Sequence, residues 1–220
     1  MRWTMKSELC FQAAAVIAVA IVATACAAGT GLIKRPDASF ELGKTTEPEI
    51  RERYGNPRPG LNRRGERTFI SHGRTIKVLH YVYSEVNPFV EKVPSRVLIC
   101  VFSEGTLIGF DYSSSFSDDK TDFDESLVGG IRPDETTQAD VVALLGQPTG
   151  RFIYPARVVK TPDQQAYVYS YGRTDVPLAW RLNPLDSGPM LTIREKTLII
   201  LFNGGGVVVE TNLIESRGER

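Results

Sequence analysis

One stretch of this 220-residue chain occurs twice. A repeat limits the fold more than composition does, because one architecture must serve two segments of the same chain. The first copy reads Thr45-Thr46-Glu47-Pro48-Glu49-Ile50-Arg51-Glu52-Arg53-Tyr54-Gly55-Asn56-Pro57. The second reads Thr136-Thr137-Gln138-Ala139-Asp140-Val141-Val142-Ala143-Leu144-Leu145-Gly146-Gln147-Pro148. Each is a threonine pair, a short helical pattern and Gly-x-Pro. Thr46 and Thr137 are placed to N-cap. Glu49 and Asp140 stand where a capping box needs a side chain that reaches back, a task that suits Glu better than Asp. Ile50, Arg53 and Tyr54 share one helix face, as do Val141, Leu144 and Leu145. Gly55 and Gly146 end the helices, and Pro57 and Pro148 prevent a restart. A helix of about ten residues is marginal alone, so each must pack on something.

The strands repeat too. Tyr81-Val82-Tyr83-Ser84 returns as Tyr167-Val168-Tyr169-Ser170, and Leu98-Ile99-Cys100-Val101-Phe102 as Leu198-Ile199-Ile200-Leu201-Phe202. Gly-containing turns, Ser103 to Thr106 and Asn203 to Gly206, lead into second apolar runs, Leu107 to Tyr112 and Val207 to Thr211. These read as hairpins. The expected fold class is therefore α+β: two tandem units, each a short helix (or helix pair) packed on a roughly three-stranded antiparallel sheet. The expected boundaries are a signal peptide over 1–25, a tether over 26–38, a first unit over 39–116, an acidic linker over 117–129 and a second unit over 130–215.

The N-terminus predicts where the chain goes. Arg2 and Lys6 precede an apolar run from about Phe11 to Val22, which closes in Ala23-Thr24-Ala25-Cys26. That run is too short to cross a bilayer comfortably and reads as a secretory signal. Its final cysteine makes it resemble a bacterial lipoprotein signal, which implies cleavage between Ala25 and Cys26 and a lipid such as palmitate on Cys26. A plain cleaved secretory signal and an uncleaved anchor are the alternatives. Basic and acidic residues balance at 26 each, so nothing steers the chain to nucleic acid. Beyond the leader only Cys26 and Cys100 remain, which excludes a disulfide framework if Cys26 is acylated. His72 and His80 stand apart, so neither a metal site nor a cofactor is expected.

The motifs in order resemble the SmpA/OmlA family of small outer-membrane lipoproteins of the BamE type. The second copy carries the resemblance at Thr136, Thr137, Val141, Leu145, Gly146, Pro148, Tyr167, Val168, Tyr169, Leu201, Phe202, Gly205 and Val207. The first carries it at Gly43, Thr45, Ile50, Gly55, Pro57, Tyr81, Val82, Tyr83 and Phe102. The tandem arrangement also resembles the β-lactamase-inhibitor protein fold. The chain departs from the family in having two copies, in Ser84 and Ser170 where the best-known members carry Arg, and in Asp134 where the first copy keeps Gly43.

The family resemblance implies a lipid-anchored envelope protein at the periplasmic face of the outer membrane. It implies partners among envelope proteins, the β-barrel assembly machinery first among them, and a role in envelope integrity. The second fold resemblance implies an inhibitor or regulator that holds an envelope enzyme against a concave surface of two sheets. A broad aromatic face favours that clamp, and a polar face favours a scaffold. A third reading is a tether whose basic loop reads anionic headgroups.

Candidate residues follow from these readings. Trp180, Arg181, Phe89, Tyr167 and Tyr169 are candidate partner contacts, since aromatic and Arg side chains anchor interfaces. Core packing of the tyrosines and of Trp180 is the competing reading. Arg63, Arg64 and Arg67 are candidate headgroup contacts, against a solvated loop. Cys100 reads as a buried small apolar residue. No nucleophile elbow or paired base is present, so no catalytic residue is assigned and no enzyme activity is expected.

Overall fold

The computed structural model describes residues 26–29, 32, 40–57, 65–86, 91–176 and 192–219. Helix α1 (Glu47–Tyr54) and helix α2 (Gln138–Leu145) each run eight residues and start as the sequence predicts. The Thr46 amide donates to Glu49 Oε2 at 2.7 Å and the Thr137 amide to Asp140 Oδ2 at 2.9 Å. Asp thus closes the box despite its shorter reach. Gly55 and Gly146 hold φ of 75° and 80°, a region that favours glycine.

The strands are β1 (Cys26–Gly29), β2 (Glu66–Ser71), β3 (Arg74–Val86), β4 (Lys92–Val93), β5 (Ser95–Ser103), β6 (Thr106–Ser114), β7 (Gly150–Ile153), β8 (Gln165–Asp175), β9 (Thr192–Phe202) and β10 (Val208–Glu219). All pairings are antiparallel, and the main order is β1-β3-β5-β6-β7-β8-β9-β10. β2 adds to β3, and β4 to β8. Tight turns at His72-Gly73 and Glu104-Gly105 have positive φ at both residues, the geometry that suits a two-residue hairpin.

This corrects the expected fold class. The strands do not divide into two three-stranded sheets with a helix each. Among the described residues they form one ten-stranded sheet, with two short α-helices on it. The decisive element is β7, which the apolar pattern does not announce. It pairs with β6 on one side and β8 on the other, so neither keeps a free edge there. Two glycines allow the close approach. A Cβ on Gly150 would lie 2.5 Å from the Phe110 carbonyl oxygen, and one on Gly109 would lie 2.0 Å from the Phe152 ring. Thr149 reinforces the join: its hydroxyl donates to the Val168 carbonyl at 3.1 Å and accepts from the Ser170 amide at 2.8 Å.

The repeated motifs remain traceable within the single sheet, with one slip. Tyr81 lies opposite Leu98, and Tyr169, not Tyr167, lies opposite Leu198. Both hydroxyls donate to the carbonyl of the glycine that ends the helix, Tyr81 to Gly55 at 3.1 Å and Tyr169 to Gly146 at 2.9 Å. The two Tyr-Val-Tyr strings are therefore offset by two residues, a shift that keeps every side chain on its own face.

One face of the sheet carries the helices. Ile50 and Tyr54 of α1 pack with Leu79, Tyr81, Leu98, Cys100, Phe102 and Leu107. Val141 of α2 packs with Tyr169, Leu198, Ile200, Phe202 and Val208. On the other face the turns after β7 bring Ala156 against Ile76, Val78, Val101 and Ile108, and Val159 against Ala166 and Leu201.

The segment expected as a solvated linker is partly core. Asp119 and Phe123 are buried, and Asp119 Oδ2 accepts from Arg96 at 2.7 Å, Tyr112 at 2.7 Å and Ser114 at 2.6 Å. Burial opposes the charge, but these donors hold the carboxyl below its ordinary range.

Candidate binding surfaces

Cys26 opens β1, and its backbone lies opposite Val86 at the end of β3. Leu32 is fully buried with Phe40 in the core under α1.

The tyrosines named from sequence lie on the helix-bearing face. Tyr169 is buried, and Tyr167 is half-buried against Phe202, with ring centroids 4.8 Å apart. Cys100 is fully buried and free, and burial pushes its thiol pKa up, which suits a packing residue rather than a nucleophile. Arg67 is exposed on β2, where its guanidinium lies 3.3 Å from His80 Nε2. Phe89, Trp180, Arg181, Arg63, Arg64 and Ala25 lie outside the described residues.

The helix-free face has two characters. Toward the hairpin turns it is aliphatic and covered by residues 154–159. Farther along β6 and β8 it turns polar: Ser170 Oγ donates to Asp111 Oδ2 at 2.9 Å, and Thr197 Oγ1 lies 3.5 Å from Ser170. Asp111 Oδ1 is out of contact with water and has no hydrogen-bond partner. Burial raises this carboxyl to a pKa of about 6, against the lowering by Ser170. Half-exposed Val82, Val97, Ile99, Ile193 and Ile199 flank this polar patch. Asp111 was missed at the sequence level, although a charge inside the apolar run Leu107 to Tyr112 is a readable signal.

The two lateral edges are the remaining surfaces. At one, β1 and β2 lie end to end along β3. Phe69 and Ile70 of β2 are 38 % and 76 % exposed. At the other, β10 has no strand beyond it among the described residues, and its Leu213 and Ile214 are 38 % and 47 % exposed. Long exposed edges of this kind are templates for pairing with another strand. Among the described residues no group of three His, Cys, Asp or Glu is placed to hold a metal. No described helix is long and apolar enough to cross a membrane.

Comparison with known proteins adds little to this geometry. No protein-family model matches the chain, and no curated protein matches it. A solved structure from Streptococcus mutans, provisionally described as a beta-lactamase inhibitor protein, is similar at 10 % identity. The match covers 83 % of this chain and 88 % of that one, with a TM-score of 0.36. A likeness of that strength assigns neither fold nor function.

Proposed function

We propose that this chain is a lipid-anchored protein of the cell envelope that acts by binding other envelope proteins. The supporting observation is the run from leader to sheet. A signal-like segment closes on Cys26, and Cys26 is also the first residue of a strand paired to β3. A lipid there would hold the sheet against its membrane with little slack. The finer reading is kinship with the SmpA/OmlA lipoproteins, the periplasmic face of the outer membrane as location, and the β-barrel assembly machinery as partner. The helix-free face favours a scaffold over an enzyme clamp. The repeated tyrosines face the helices instead, leaving on the other side an aliphatic cluster with Phe152 and Tyr154 under the turns after β7, and beside it the polar patch of Asp111, Ser170 and Thr197.

The test is metabolic labelling with a clickable fatty acid, followed by cross-linking in cells and purification from membranes. The proposal expects label that is lost in Cys26→Ser and co-purification of barrel-assembly subunits. An unlabelled protein recovered in the soluble fraction contradicts the anchor. Recovery of a single envelope enzyme in place of those subunits contradicts the scaffold role.

A further inference from the structure

We propose that copies of this chain join head to tail, β10 of one molecule pairing with β2 of the next, in the register that β6 and β7 use inside the chain. The template is visible in one row of residues running straight across the sheet. Arg67, Val78, Val101 and Gly109 stand opposite one another on β2, β3, β5 and β6. The row continues through Phe152, Ala166, Leu201 and Glu210 on β7, β8, β9 and β10. It is the same four-strand passage twice. β7 holds the place in the second half that β2 holds in the first, and β10 holds the place of β6. Even the irregularities agree, since the β5–β6 ladder shifts register between Val101 and Phe102 and the β9–β10 ladder between Leu201 and Phe202.

Where β6 meets β7, Gly109 faces Phe152. The same step repeated between molecules sets Glu210 opposite Arg67 of the next copy, and Thr211 opposite Glu66. Both members of the first pair are exposed and lie on the helix-free face, and their charges are opposite. Opposite charges directly across an antiparallel pair are stabilising. Glu210 already pairs with Lys160, and a carboxylate accepts from two cations at once. A contact between two different edges is heterologous, so it builds rings or open chains rather than a closed two-fold dimer. The inference does not depend on lipid at Cys26.

Sedimentation velocity on the full chain in detergent, over a hundredfold range of concentration, tests this. The expected result is self-association extending beyond dimer, reduced at least tenfold in affinity by Arg67→Glu or by Glu210→Arg, and restored when both changes share one chain. Both sites are exposed, and circular dichroism verifies that the variants fold. A double variant carrying Arg67→Cys and Glu210→Cys is expected to give an oxidative ladder of oligomers, with neither single change doing so. A monomer at every concentration overturns the proposal, and so does a dimer indifferent to Arg67→Glu.

Discussion

β2 and β7 occupy the same place in the two halves of the sheet, yet one is an exposed edge and the other is enclosed. All residues of β2 from Glu66 to Ile70 are exposed, whereas β7 runs between β6 and β8 with Gly150 buried. Their own sequences do not set that difference. It comes from what the preceding strand offers: β6 presents Gly109 and a backbone close enough to take Gly150, and among the described residues nothing equivalent precedes β2. Pairing status is thus a property of the neighbour. A repeat can build one continuous sheet when the last strand of its first copy accepts the first strand of its second.

The largest expected effect tests the join directly. Gly150→Ala places a methyl 2.5 Å from the Phe110 oxygen, against backbone that cannot swing aside, and should cost about 3 kcal/mol. Urea denaturation measures it, and a loss under about 0.5 kcal/mol, the range of an unremarkable surface change, breaks the claim that β6 and β7 are in close contact.

Asp111→Asn sharpens the comparison through pH. The native carboxyl holds its proton to about pH 6, against an ordinary value of 3.8. The native state therefore binds more protons than the unfolded chain between those values, and wild-type stability falls as pH rises through that window. Asn keeps an acceptor for Ser170 without the buried charge. The variant should gain about 2–3 kcal/mol over wild type at pH 8 and nothing at pH 3.5. Paired thermal melts at the two pH values measure this, and an equal effect at both contradicts it.

Where the halves agree locally, they should respond alike. Glu49→Ala and Asp140→Ala should each cost about 1 kcal/mol, because each carboxylate accepts from both the amide and the hydroxyl of its N-cap threonine. Thermal denaturation giving unequal losses would separate the two caps. The smallest effect belongs to the free edge. Phe69→Ala on β2 should change the stability of the isolated chain by less than about 0.5 kcal/mol, by the same melts.

The helices were legible because their signals are local: Thr, an acid three residues on, Gly and Pro. The hairpins were legible because Gly turns separate apolar runs. The single sheet was not legible, since β7 is four residues opening on Gly150 and its partners lie far off in sequence. Tyr-Val-Tyr misled by two residues because strand periodicity is blind to such a shift; only the shared hydrogen bond to the helix-ending glycine identifies Tyr169 as the counterpart of Tyr81. Asp119 read as solvated because its partners Arg96, Tyr112 and Ser114 converge only in three dimensions.

Native-state hydrogen exchange at the join tests the central claim, that the ten strands form one sheet. Amides of Phe110, Tyr112, Arg151 and Ile153 should be as protected as the ladder amides in the middle of β5 and β9, and should open together with them as denaturant rises. Early loss of protection confined to β6 and β7, with the strands on either side still closed, would contradict a continuous sheet and restore two separate units.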